Sequence, residues 1–139
     1  MRFAGKLYQD GKYWLAKIPI LDLMTQGRTE TEAYRRVADL IETMVNQDDF
    51  KAEVFKRPQN TFEVGSRDTK PLVSLLLQRK REMSGLSLAQ VAERLGMSSR
   101  NSYARYEQGL STPTVEKLNE LLHAVSPKSD FVINASHLQ

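Results

Sequence analysis

The chain has 139 residues, and its 20 lysine and arginine residues against 17 aspartate and glutamate residues give a formal net charge of +3. Because 40% of the residues are hydrophobic and a folded chain of this length buries roughly two-thirds of its unfolded surface, one medium domain or two small ones can form without disulfide or metal cross-links. There is no cysteine, which excludes disulfide scaffolds, cysteine-ligated metal sites and thiol nucleophiles.

The start of the chain and its hydropathy predict a cytoplasmic protein. Residues 1–6 are too polar for a signal peptide, and no apolar run approaches the roughly 18 residues that a membrane span needs. The charge is unevenly distributed, since residues 1–70 carry 12 basic and 11 acidic side chains whereas residues 71–110 carry 6 and 3. The second of these segments is therefore where we look first for a nucleic-acid site.

Residues 2–8 and 12–18 are predicted to form a β-hairpin. They flank Asp10-Gly11, a dipeptide typical of the two positive-φ positions of a type I′ turn. In that register Leu7 faces Trp14, and the apolar side chains of both strands share one face of the sheet. This face must be covered by another element.

The predicted cover is an amphipathic helix over residues 30–46. Thr29-Glu30-Thr31-Glu32 is a capping-box sequence, and apolar residues recur after it at helical spacing. Two short strands follow, at residues 52–56 and 61–64, on either side of a turn. The first half therefore predicts an α+β fold of order β-β-α-β-β.

Residues 65–70 contain no apolar side chain and are predicted to be a linker, which places one domain at residues 1–66 and a second at residues 67–139. The second domain is predicted to be a helical bundle, because helix-start and helix-stop residues alternate along it. Its helices begin at Pro71, Ser87, near Ser99 and at Thr112, the first three end before Gly85, Gly96 and Gly109, and a short strand at Phe131–Ile133 follows.

The predicted helices at residues 87–95 and 99–108 are joined by a very short turn. This arrangement is typical of DNA-binding helix-turn-helix modules, in which the second helix lies in the major groove. Ala92 is small where the helices approach, and Tyr103 and Tyr106 are expected to pack in the core. The outward positions of the second helix are Arg100, Asn101, Ser102, Arg105 and Gln108, and arginine and asparagine are the residue types that read guanine and adenine bidentately.

Three segments, Leu86–Ser98, Arg105–Gly109 and Ser111–Leu118, resemble the Xre/Cro-type repressor helix-turn-helix. The resemblance implies that the start of the first helix touches the phosphate backbone and that the start of the second probes bases. The basic segment Arg79–Arg81 could add sequence-independent phosphate contacts. The candidate DNA-binding residues are Ser87, Gln90, Ser99, Arg100, Asn101, Ser102 and Arg105.

Two further segments, Tyr-Trp-Leu-Ala-Lys-Ile-Pro at residues 13–19 and Met-Thr-Gln-Gly-Arg-Thr-Glu-Thr-Glu-Ala at residues 24–33, precede the long helix. With that helix they resemble the HicB antitoxins of type II toxin–antitoxin systems. The resemblance implies a degenerate RNase H-like N-terminal domain with a loop ending in Thr-Gln-Gly, which masks a HicA-type mRNA interferase. Together with the helix-turn-helix it implies a repressor that holds the double-stranded operator DNA of its own operon and is not itself a nuclease.

Two groups of residues are candidates for contact with such a toxin. Acidic side chains near the end of the helix could meet a basic RNA-binding surface, and they are Asp48, Asp49 and Glu53. Apolar side chains before the helix could act as anchors, and they are Leu21, Leu23 and Met24. Ordinary packing of this loop onto the helix explains the apolar group equally well.

A homodimer or tetramer is expected, because one recognition helix makes too few base contacts for useful discrimination. The predicted strand at Phe131–Ile133 needs a partner for its backbone groups. That partner is either the same strand of a second copy or the N-terminal sheet of the same chain.

Two alternatives to an antitoxin stay open. One is a stand-alone transcriptional repressor whose N-terminal domain senses a ligand or serves dimerisation. The other is a Mg²⁺-dependent nuclease, which would need converging carboxylates. Turns, helix starts and the solvent face explain most of the acidic residues of the first half, so we expect no catalysis, no metal and no cofactor.

Overall fold

A computed structural model describes residues 1–137. The fold is α+β, with a five-stranded antiparallel sheet in the N-terminal part and helices in the C-terminal part. The chain divides into two compact units, residues 1–79 and a second unit that begins at Lys80, and the limits of the two functional domains stay predictions. No helix among the described residues is both long and apolar enough to cross a bilayer.

The first unit contains five strands and one complete helix. The strands lie in the order β3-β2-β1-β5-β4, and every neighbouring pair is antiparallel. The elements are β1 (Arg2–Asp10), β2 (Tyr13–Ile18), β3 (Leu23–Gly27), α1 (Glu30–Val45), β4 (Glu53–Arg57) and β5 (Thr61–Gly65).

The β1–β2 hairpin turns one residue later than predicted. Asp10 belongs to β1, and the two-residue loop is Gly11-Lys12. Gly11 has a φ of +61°, as the first loop position of a type II′ turn requires. The predicted pairing of Leu7 with Trp14 is therefore wrong by two residues, and Leu7 pairs with Ala16. Since side chains alternate with a period of two, the apolar face is unchanged.

Strand β3 was not predicted. After β2 the chain forms a 3-10 turn at Pro19–Leu21, and Asp22 then adopts the left-handed conformation, with φ 50° and ψ 45°. Aspartate tolerates that conformation better than most residues. The chain reverses there, so that Leu23 pairs with Ile18. The order of this unit is β-β-β-α-β-β, and the prediction of a loop before the helix was wrong.

Helix α1 covers one face of the sheet, as predicted. The Thr29 hydroxyl accepts a hydrogen bond from the Glu32 backbone N–H at 3.0 Å, and the Tyr34 ring packs edge-on against Phe62 with centroids 5.7 Å apart. Phe62 in turn lies over Gly5 of β1, where a Cβ would collide with the ring. The core here includes Phe3, Leu7, Ala16, Ile18, Leu21, Ala33, Val37, Ile41, Phe62 and Val64.

Helix α2 (Thr69–Met83) begins two residues before the predicted start. Pro71 is its third residue, a position at which a helical N–H has no partner within the helix, so proline costs nothing there. The predicted linker at residues 65–70 was thus wrong at both ends, because Gly65 ends β5 and residues 69–70 are helical.

The second unit contains α3 (Leu88–Arg94), α4 (Arg100–Glu107) and α5 (Val115–Val125). The three predicted helix stops are confirmed. Gly85, Gly96 and Gly109 have φ values of +69°, +68° and +73°. After each of them the next backbone N–H bonds back into the preceding helix, over distances of 3.2, 2.9 and 2.9 Å, which is the Schellman arrangement of a helix end.

Residues 131–133 do not form the predicted strand. Val132 and Ile133 are 81% and 94% exposed. Among the described residues, no strand pairs with this segment.

Candidate nucleic-acid interface

Helices α3 and α4 form a compact pair joined by residues 95–99. The turn depends on Gly96, and the Met97 N–H donates to the Ala92 carbonyl at 2.9 Å. Ala92 is buried, as expected for the small residue at the point of approach. The chain therefore leaves α3 and enters α4 in a fixed direction, which places the first turn of α4 at the surface.

A reciprocal capping box starts α3. The Ser87 hydroxyl accepts from the Gln90 N–H at 3.1 Å, and the Gln90 amide oxygen accepts from the Ser87 N–H at 2.8 Å. Both side chains are exposed, and within residues 1–137 the Gln90 amide nitrogen keeps its two donors for a ligand. The geometry suits the phosphate contact predicted for these two residues, although that contact itself stays a prediction.

The exposed surface of α4 is polar and positively charged. Arg100, Asn101 and Arg105 are exposed and Ser102 is half-buried. Within residues 1–137 neither arginine forms a salt bridge or a side-chain hydrogen bond, so both guanidinium groups keep all their donors. Gln108 is exposed one turn further along. The residues predicted to read bases thus lie on one accessible helix.

The N-cap of α4 differs from that of α3. Ser99 has extended backbone angles, but its hydroxyl accepts no backbone hydrogen bond and lies 3.5 Å from the Ser102 hydroxyl. The first N–H groups of α4 are left without a side-chain acceptor, at the positive end of the helix dipole. A phosphate oxygen would satisfy them.

A partly buried ion pair fixes α4 from behind. Arg81 donates to both carboxylate oxygens of Glu107, at 2.8 and 3.0 Å, and to the Leu86 carbonyl at 2.9 Å. The side chains are only 16% and 8% exposed. Hydrogen bonding to Glu107 raises the pKa of Arg81 further above its usual value. The pair joins α2, the start of α3 and the end of α4.

Sequence reasoning missed this ion pair and gave Arg81 a different role. Arg79 and Arg81 were expected to contact phosphates, but Arg79 donates to the Leu21 and Asp22 carbonyls at 2.9 and 3.0 Å. Both guanidinium groups therefore hold the fold together. No spacing rule links Arg81 to a residue 26 positions away, so no sequence signal could have found the pair.

Tyr103 lies inside the same cluster. Its side chain is fully buried, which confirms the prediction that it is a core residue. Burial, and next the charge of Glu107, raise the pKa of Tyr103 far above its usual value. Tyr106 is half-buried on the same helix.

The family comparison agrees with this geometry. Residues 77–125 match the HTH_3 family, described as Helix-turn-helix. This stretch carries a helix-turn-helix domain. The match runs from the second half of α2 to the last residue of α5, and it supports sequence-specific DNA binding and a role in transcriptional regulation. No curated protein gives a significant match to the chain.

The candidate toxin-contacting residues do not form a single cluster. Met24 is exposed on β3, Leu23 is half-buried beside it, and Leu21 is fully buried, so its predicted role as an exposed anchor was wrong. Asp48 and Asp49 are exposed in the turn after α1, and Glu53 starts β4. Since β3 and β4 are opposite edges of the sheet, four strand spacings or roughly 19 Å separate the strand of Leu23 and Met24 from that of Glu53.

Proposed function

We propose that this protein is a HicB-like antitoxin that neutralises a HicA-type mRNA interferase and represses its own operon. The observation that carries the DNA-binding half is the helix-turn-helix over residues 77–125. The antitoxin half is supported by the likeness of residues 13–45 to HicB proteins, which the toxin experiment below must test.

The operator is held by α4 and by the start of α3. Arg100, Asn101 and Arg105 read base edges, with Ser102 beside them, while Ser87, Gln90 and Ser99 bind phosphates. This assignment follows from the exposed cations of α4 and from the open first turn at Ser99.

The protein acts as a homodimer or tetramer on a two-fold symmetric operator. We assign dimer contacts to Phe131–Ile133, where two apolar side chains, Val132 and Ile133, are exposed and no strand within residues 1–137 pairs with the segment. Pairing of this segment with the same segment of a second chain would bury the two side chains and give the backbone groups hydrogen-bond partners.

The N-terminal domain, residues 1–66, would then be a degenerate RNase H-like module that binds the toxin without catalysis or cofactor, in the cytoplasm. Asp48, Asp49 and Glu53 offer negative charge to a basic RNA-binding surface. Met24 and Leu23 offer an apolar contact at the opposite edge of the sheet. The first group is the better candidate, because a basic toxin favours a carboxylate surface.

Co-expression with the product of the neighbouring small gene tests the antitoxin proposal. We expect rescue of growth and a stable complex in size-exclusion mass analysis. Asp48→Lys with Asp49→Lys should abolish rescue, whereas Asp10→Lys with Asp39→Lys makes the same change of charge at exposed carboxylates outside both candidate groups and should preserve rescue. Absence of both toxicity and complex would leave a stand-alone repressor with a sensing or dimerisation domain.

A further inference from the structure

The face of the sheet opposite α1, here called the outer face, is open. Phe62 and α1 lie on the other face, and the strand registers place the alternate residues on this one. Its central line of side chains runs across all five strands, and in strand order it consists of Met24, Lys17, Lys6, Thr61 and Arg57.

This line carries an unfavourable arrangement of charge. Lys6 and Lys17 are direct cross-strand partners, and like charges in that position destabilise a sheet. Both are exposed, and within residues 1–137 neither forms a salt bridge or a side-chain hydrogen bond. Arg57 lies two strands beyond Lys6, which is about 10 Å. No carboxylate lies in this line, so folding alone does not explain the direct pairing of Lys6 with Lys17.

Apolar and aromatic surface borders the cations on both sides. On one side Tyr8 is 41% exposed and Met24 53% exposed, with the Tyr8 hydroxyl 3.8 Å from the Met24 sulfur. On the other side is a cleft of about 320 Å³, whose walls include Ala4, Lys6, Pro19, Arg57, Pro58 and Thr61. Glu63 also borders this cleft, but its carboxylate is bound to Arg2 at 2.9 Å.

We propose that the outer face binds single-stranded nucleic acid. A row of cations beside accessible ring and apolar surface is the combination that tracks a phosphate backbone and stacks unpaired bases. Lys6, Lys17 and Arg57 take the phosphates, one base stacks on Tyr8, and a second enters the cleft. A basic toxin is not a fitting occupant of the centre of this face, because Lys6, Lys17 and Arg57 offer it only positive charge. The site is separate from the helix-turn-helix and does not rest on the antitoxin proposal.

The test is fluorescence anisotropy with the full chain and a labelled 12-nucleotide single-stranded RNA of mixed sequence. Three variants each remove two positive charges: Lys6→Gln/Lys17→Gln on the outer face, Lys12→Gln/Lys70→Gln elsewhere in the same unit, and Arg100→Gln/Arg105→Gln on α4. We expect the first to weaken binding by at least about tenfold and the second by less than about threefold. Loss of two phosphate contacts should also reduce the slope of log affinity against log salt by about 1.4.

Tyr8→Leu separates stacking from charge. It keeps an apolar side chain but removes the aromatic ring, and should weaken binding roughly fivefold or more without changing the salt slope. Thermal melting controls for folding, and Lys6→Gln/Lys17→Gln should melt no earlier than the parent because it removes a repulsive pair. If the double lysine variant fails to fold, the RNA affinity of Tyr8→Leu alone tests the proposal.

Several results would overturn the proposal. Equal losses for the two lysine pairs would mean unspecific attraction. A larger loss with the α4 variant would assign the probe to the helix-turn-helix. Competition by a polyglutamate peptide of the same length as effective as that by unlabelled RNA would identify a surface for acidic proteins instead.

Discussion

The two units of this protein differ in how their structure is encoded. In the second unit the elements are bounded by signals within a few residues of each other, such as the Ser87–Gln90 capping box and the glycine at each helix end. In the first unit the structure depends on which strands pair and in which register. A function that depends on short sequence motifs, such as DNA binding by a helix-turn-helix, can therefore be assigned from sequence more readily than one that depends on the surface of a sheet.

The largest expected effect concerns the ion pair behind α4. Arg81→Met leaves the Glu107 carboxylate partly buried without its partner, which should lower the free energy of unfolding of the second unit by about 3 kcal/mol. Urea unfolding followed by far-UV circular dichroism reports on the helices of both units, and the transition that does not coincide with the Trp14 signal, here called the helical transition, reports on the second unit. Fluorescence of Trp14, the single tryptophan, reports on β2 in the first unit and should change little.

The double variant Arg81→Met/Glu107→Leu is the control for that experiment. Replacing both charges by apolar groups should recover most of the loss. If the Trp14 transition moved together with the helical one, the two units would unfold as one. Their free energies of unfolding could then not be compared separately.

Base-specific operator binding is expected to depend on the exposed side chains of α4. Arg100→Ala and Asn101→Ala should each weaken operator binding by about 1–3 kcal/mol while the melting temperature stays unchanged, because both side chains are exposed. Asn119→Ala, an exposed asparagine on α5, is the matched control. Electrophoretic mobility shift with the promoter fragment measures the effect, and unchanged affinity in both α4 variants would refute the placement of the recognition helix.

A substitution in the sheet should lower the stability of the first unit and leave operator binding unchanged. Gly5→Ala forces a methyl group into the Phe62 ring, which should destabilise the first unit by about 1–3 kcal/mol. The Trp14 transition would move, and operator affinity would not. With Phe62→Leu in the background the cost of Gly5→Ala should shrink, since the ring is gone. An undiminished cost would mean that glycine is needed there for another reason.

The same contrast explains which predictions from the sequence were right. The helix ends at Gly85, Gly96 and Gly109, the cap of α1 at Thr29 and the burial of Tyr103 follow from neighbouring residues, and the structure confirms them. The exposed residues of α4 were predicted for the same reason, because a 3.6-residue period fixes which side chains face outward.

The wrong predictions concern features that depend on residues far apart in the sequence. Residues 23–27 became a strand because Asp22 takes a left-handed conformation and β2 offers a free edge, and neither condition shows in the pattern of the segment itself. The hairpin register depends on whether Gly11 is the second loop residue of a type I′ turn or the first loop residue of a type II′ turn. The Arg81–Glu107 pair and the line of cations on the outer face are products of topology, so only the structure brings them together.

The smallest expected effect compares a buried tyrosine in each unit. Burial raises the pKa of Tyr103 and of Tyr34. The unfolded chain therefore releases these protons at a lower pH than the folded chain, so that stability is intact below about pH 10 and falls above it. At pH 11 the loss should be about 1.4 kcal/mol for Tyr103. Tyr103→Phe should flatten the pH dependence of the helical transition only, and Tyr34→Phe that of the Trp14 transition only. If either substitution flattened the pH dependence of both transitions, the two units would unfold as a single cooperative structure. They would then differ in how the sequence encodes them but not in how they unfold.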